Sequence, residues 1–216
     1  MVNDTAPTQT RDRLLDSAGE IFAERGFHTA TVREISDRAH ANIASINYHF
    51  GDKERLYAEV LKYGAKKVLD RFPPDQGLNE HSSFEEQLRA FVSSFITRFL
   101  DPSGPDWHAR LCAREMIEPT EALDELVRDV IRPLSERLHL IVRGLSGGHI
   151  NDERVRLCAL SIIGQMLFYH HNRPVIERLY GKQLYVNREV ERVTRHITEF
   201  SIQAIRHIAK SKAQEK

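Results

Sequence analysis

An all-α protein is predicted by three features of the sequence. Apolar residues recur at steps of three and four along almost the whole chain. Alternating apolar and polar runs bounded by turn residues, the mark of strands, are missing. Capping residues and helix breakers punctuate the periodic segments at intervals that suit helices. With 216 residues, 41% of them hydrophobic, the chain can bury a core in one domain or two.

The first helix is expected from about Thr10 to Arg25, with Leu14, Leu15, Ala18, Ile21 and Phe22 on one stripe and Gly26 placed to end it. Thr31-Val-Arg-Glu34 is a capping box that opens a second, short helix with Val32, Ile35 and Ala39 facing inward. After His40 and Ala41, Asn42 is a good N-cap for a third helix that buries Ile46 and Phe50 and stops at Gly51. Asp52-Lys-Glu begins a longer helix, 53 to 71, which Pro73 and Pro74 end. The segment PPDQGLNEHSS, residues 73 to 83, reads as a loop and as the boundary between an N-terminal domain, 1 to 56 with helix 53 to 71 connecting, and a larger C-terminal domain, 73 to 216. There, Ser83-Phe-Glu-Glu86 caps a helix through Phe91, Phe95 and Phe99 that stops at 101 to 105. Further helices are expected near 106 to 117, 120 to 145, 152 to 179 and 187 to 210.

Composition narrows the function. Lys and Arg number 31 against 31 Asp and Glu, and the first 71 residues hold 11 of each, so a basic surface has to be made locally. Cys112 and Cys158 form no CxxC pair, and the N-terminus MVNDTAPTQTRDR has no apolar stretch, which points to a reduced, cytoplasmic setting. The longest mostly apolar run, LCALSIIGQMLFY, is too short to span a bilayer. No nucleophile elbow, phosphate loop or His-Glu-x-x-His is present, so no enzyme and no cofactor are expected. No metal is expected either. His170 and His171 are adjacent, so on a helix they point about 100° apart and share no ligand face with His108 or His139.

A short helix, a tight turn and a second short helix make a helix-turn-helix, whose second helix can enter the DNA major groove. The segment ANIASINYHFGDKE fits that role. Its outer face carries Ile43, Ala44, Ser45 and Asn47, small or polar groups able to approach base edges, with Ile43 suited to a thymine methyl. Tyr48 and His49 donate well to phosphate, and Lys53 stands at the start of the next helix beside its free backbone N–H groups.

Residues 10 to 56, above all TVREISDRAHANIASINYHFGDKERLY, resemble the N-terminal DNA-binding domain of the TetR family of bacterial transcription regulators. The likeness rests on Phe-x-x-x-Gly-Phe ending the first helix, Thr-Val-Arg-Glu-Ile in the second, and Tyr-His-Phe-Gly-Asp-Lys-Glu after the third. Arg114-Glu-Met-Ile-Glu-Pro-Thr120, Ile131-Arg-Pro133 and Ile162-Ile-Gly-Gln-Met-Leu-Phe168 look like the C-terminal domain of its CecR-like branch. The resemblance implies a homodimer, most simply a repressor, that leaves a palindromic operator when a small-molecule effector binds the C-terminal domain. It implies phosphate contacts from Thr31, Tyr48, His49 and Lys53 and base contacts from Ile43, Ser45 and Asn47. Two departures stand out: His40 where glycine is usual in the turn, and Ile43 where polar or basic residues are common. The alternative is a DNA-binding activator or architectural protein without an effector.

In the C-terminal half, Val190, Val193, Ile197, Phe200 and Ala204 repeat at steps that suit packing against a partner helix. One face of 152 to 179 carries Leu157, Leu160, Ser161, Gly164 and Phe168, where small residues allow close approach. The resemblance places both helices in a four-helix dimer interface. Phe95, Trp107, Leu111, Met116, Met166 and Tyr169, with Arg114 and His170 as polar handles, are the candidate lining of a pocket for a small, partly apolar organic effector.

Overall fold

Helix α1 (Thr5–Arg25) buries Leu14, Leu15, Ala18, Ile21 and Phe22 as one stripe and ends where Gly26 adopts φ +81°. The computed structural model describes residues 5–100, 106–181 and 187–213, and helices and turns account for every element among them. Packing divides the chain into two units, Met1–Val68 with Ser103–Arg132, and Leu69–Pro102 with Pro133–Lys216. The turn-rich segment 73 to 83, expected as the boundary, lies within the second unit as a connection between helices; the division falls between Val68 and Leu69. Residues 106 to 132, read from the sequence as part of the C-terminal domain, pack within the first unit.

In that first unit, α2 (Val32–Arg38), α3 (Ile43–Phe50) and α4 (Lys53–Arg71) follow α1. Ile35, Ala39, Ile46, Phe50, Leu56, Tyr57, Val60 and Leu61 join the α1 stripe in one core. Helix α6 (Asp106–Ile117) adds Trp107 and Leu111 to it. Gly19 and Gly64 are there because the indole is close. A Cβ on Gly19 would lie 2.6 Å from Trp107, and one on Gly64 would lie 2.9 Å from Trp107 and 2.4 Å from His108. A buried carboxylate ties the segment down: Glu115 accepts from the Tyr57 hydroxyl at 2.7 Å, the Thr120 N–H at 2.7 Å and the Thr120 hydroxyl at 2.9 Å. Those three donors satisfy a charge that would be costly to bury alone.

The helix expected from 120 to 145 is broken in register. Helix α7 (Ala122–Leu126) gives way to a π-helical turn, Val127–Ile131, before α8 (Arg132–Leu145). Pro133 has no N–H for the Asp129 carbonyl, and its ring would press on that oxygen in a regular helix. The Arg132 N–H reaches back five residues to Val127 instead, opening the turn. The helix expected from 152 to 179 is likewise two, α9 (Asp152–His171) and α10 (Arg173–Tyr180), parted at Asn172. Pro174 is responsible, since it cannot pair with the His170 carbonyl. The expected break at 101 to 105 lies outside the described residues.

The second unit packs α5 (Phe84–Leu100), α8, α9 and α11 (Asn187–Ala213) around Leu88, Phe91, Val92, Leu138, Ile141, Ile162, Met166 and Ile197. The Ser83 capping box forms as expected, with Glu86 accepting from the Ser83 N–H at 2.8 Å. Among the described residues, no helix is long and apolar enough to cross a membrane.

Candidate nucleic-acid interface

The first unit sets α2 and α3 by local signals and a shared core. Thr31 caps α2 reciprocally with Glu34, accepting from its N–H at 3.3 Å and giving its own N–H to the carboxylate at 3.1 Å. The Thr31 hydroxyl, which donates to the same carboxylate at 3.0 Å, and that N–H, with Arg25 nearby, hold the Glu34 carboxyl below its ordinary range. Between the helices, His40 takes φ 49°, the left-handed conformation for which glycine is the usual residue. Asn42 caps α3 by accepting from the Ala44 N–H at 2.9 Å, and Gly51 closes it with φ +85°.

Burial of Ile46 and Phe50 then decides what α3 shows to solvent. Ile43 (45% exposed), Ala44 and Asn47 stand outward, and Tyr48 is 83% exposed. Ser45 and His49 are half-buried, and the His49 ring lies edge-on to Tyr48 at 4.9 Å between centroids. A large aromatic phenol left this open, on a helix with no carboxylate, has its hydroxyl free for an acceptor from outside.

Lys53 opens α4, where the Asp52 carboxylate accepts from the Arg55 N–H at 2.8 Å. Its ammonium sits 4.8 Å from the Phe27 ring centroid and 3.4 Å from the His28 carbonyl oxygen. Sequence reasoning missed this support, since Lys53 and His28 are 25 residues apart and no local pattern links them. Among the described residues no carboxylate pairs with Lys53. Other acids of this unit are paired with other cations: Glu20 and Glu24 each lie 3.3 Å from Arg38, Asp16 lies 2.9 Å from Lys67, and Glu59 lies 2.6 Å from Arg11. Neutral composition thus coexists with a locally unpaired cation beside α3.

The other expected sites fare differently. Leu157, Leu160 and Phe168 of α9 and Phe200 of α11 are at least half exposed, with Ser161 and Gly164 open between them and Ala204 and Val190 partly covered. Val193 and Ile197, by contrast, are enclosed in the second unit's own core, because the α11 stripe is wide enough to serve that core on one side. A groove of about 140 Å³ runs between α9 and α11, lined by Leu157, Cys158, Ser161, Phe200 and Ala204.

The eight effector candidates divide between the two units, Trp107, Leu111, Arg114 and Met116 in the first and Phe95, Met166, Tyr169 and His170 in the second. Trp107 and Leu111 are core residues of the first unit, and Met166 is core of the second. Met116 is half exposed and Arg114 lies against Gly26. Phe95 and Tyr169 pack at the margin of the second core, and His170 is held down to about 4 by burial and by the neighbouring His171. Six of the eight are apolar or aromatic residues on helices, and helical spacing cannot separate a core from a pocket wall. A cleft of about 540 Å³ does open in the second unit, between α5 and the segment 71 to 82. Cys112 is pushed up to about 12 by burial, an unreactive thiol.

Two family models match. Residues 14–60 fit the bacterial regulatory proteins of the tetR family, and residues 84–205 fit the C-terminal domain of the HTH-type transcriptional dual regulator CecR. The chain is 28% identical over 198 residues to CecR of Shigella flexneri, covering 88% of each protein. It is also 28% identical over 185 residues to the transcriptional repressor NicS of Pseudomonas putida, covering 82% of each. Its fold matches a bacterial regulatory protein in the tetR family from Rhodococcus RHA1, with a TM-score of 0.64 over 91% of this chain and 96% of that one at 17% identity.

Proposed function

The chain belongs to the TetR family of transcriptional regulators and carries a CecR-type C-terminal domain, and from that premise we propose that it is a cytoplasmic repressor that holds a palindromic operator as a homodimer and lets go when a small organic effector binds. The observation that carries the reading is the outer face of α3. Ile46 and Phe50 anchor the helix, and Ile43, Ala44, Ser45 and Asn47 are left to meet base edges. Thr31, Tyr48, His49 and Lys53 flank that face and take phosphate oxygens, fixing its register on the duplex.

Two such helices must lie about one turn of DNA apart, near 34–36 Å, to engage two half-sites together. The exposed apolar face of α9 and α11 supplies the pairing surface, centred on Leu157, Leu160, Phe168 and Phe200. The effector binds in the second unit and favours a dimer whose reading heads are wrongly spaced, with α4 carrying the change. A tenfold loss of operator occupancy requires about 1.4 kcal/mol of preference for that state.

Retention of random duplexes on the purified protein, followed by sequencing, tests the reading. A palindrome with two half-sites about one helical turn apart is the expected product; no enrichment from a folded dimer at low salt would contradict it.

A further inference from the structure

Arg98, in the last turn of α5, is a partly buried charge. Its Nε donates to the Ser94 carbonyl at 3.1 Å, and the guanidinium lies 5.3 Å from the Phe95 ring centroid. One terminal nitrogen is fully enclosed and has no hydrogen-bond partner. No carboxylate of the described residues pairs with it, although surface arginines of the same unit, Arg89, Arg137 and Arg143, each have one. Burial lowers Arg98 to about 10, so it stays charged at neutral pH.

An enclosed cation without a counter-ion is an unfavourable arrangement unless something supplies the anion. Ser94, one helical turn before Arg98 and the carbonyl acceptor of its Nε, lines the 540 Å³ cleft, as do Arg71 and Arg89; Arg98 stands behind that wall and does not itself line the cleft. The cleft contributes one carboxylate, Glu86, which is occupied by the Ser83 cap. We infer that Arg98 is the anchor of an anionic effector, a small organic acid whose carboxylate pairs with the free edge of the guanidinium while its apolar part lies toward the second core. Arginine suits this role because its planar fork matches a carboxylate with two parallel bonds. The inference rests on the effector reading proposed above and names the chemical class of the effector.

Thermal unfolding of the full chain tests it. Wild type, Arg98→Gln and Arg98→Met are compared with benzoate, phenylacetate and octanoate, with the corresponding amides, and with chloride at equal ionic strength. The carboxylates should raise the wild-type Tm saturably and the amides should not. Arg98→Gln should need at least about tenfold more carboxylate for half the effect. Without ligand, Arg98→Met should be no less stable than wild type, the opposite of what loss of a purely structural contact gives. A wild-type Tm that follows ionic strength alone, or an unchanged half-saturation in Arg98→Gln, would overturn the inference. So would an Arg98→Met variant clearly less stable than wild type without ligand, which would assign the charge to an internal contact.

Retention on the enriched duplex separates the two readings. Carboxylate binding through Arg98 that leaves DNA retention unchanged would keep the anion site and remove effector release. Release by an uncharged compound, equal in wild type and Arg98→Gln, would keep effector release and remove the anion site.

Discussion

At the scale of single residues, the turn between α2 and α3 rests on His40 in a conformation that costs an L side chain energy. His40→Gly should therefore stabilise the protein, by about 1 kcal/mol at most because glycine also gains entropy in the unfolded chain, a Tm rise of roughly 2–4 °C. A fall in Tm would mean that the imidazole makes a contact worth more than the strain. His170 gives a pH signature. Burial and His171 lower it to about 4, against an ordinary value near 6.5 in the unfolded chain. The folded state therefore favours the neutral ring, and that stability is present above about pH 6.5 and is lost as the pH falls towards 4. The drop in Tm between pH 7.5 and 5 should be smaller in His170→Gln than in wild type. An equal drop would place the acid sensitivity elsewhere. Residues like Thr31, Asn42 and His40 were legible because their partners lie within a turn of chain. The Phe27 and His28 support of Lys53 was not, because only folding brings those residues together.

At the scale of elements, periodicity found the helices, and it misjudged continuity where a proline sits inside an apolar pattern. Pro133 and Pro174 leave the apolar spacing intact while removing a backbone donor, so the pattern reads as one helix and the backbone makes two. Placement of α6 was beyond the sequence for another reason. Trp107 and Leu111 have the spacing of any buried face, and the match that settles their place is made by two glycines on other helices, Gly19 and Gly64. The Tyr57 hydroxyl bonded to Glu115 binds α4 to α6 within the first unit. Tyr57→Phe removes one of three donors to a fully buried carboxylate and should cost about 1–3 kcal/mol in urea unfolding, with an unchanged m-value. A change below about 0.5 kcal/mol would show that Thr120 alone satisfies Glu115.

At the scale of the whole molecule, the sequence stated the family through one local motif, and the proposed assembly follows from surface the subunit leaves open. Leu160 is 57% exposed on α9, so its loss should leave the subunit's own stability almost unchanged. Leu160→Glu is expected to place a charge in the proposed pairing surface, turn a dimer into a monomer by sedimentation, and weaken DNA binding at the same time. A monomeric wild type, or a Leu160→Glu variant that still sediments as a dimer, would move the pairing surface off this face.

Binding isotherms of Asn47→Ala and Lys53→Ala on the enriched duplex, across a range of salt concentrations, separate base reading from phosphate holding around α3. Lys53→Ala should weaken binding to every sequence alike and lower the salt slope by about 1, while Asn47→Ala should leave the slope unchanged and relax the preference at one base pair per half-site, by about 1–3 kcal/mol. Unchanged affinity and base preference in both variants would contradict the account and separate DNA binding from this helix.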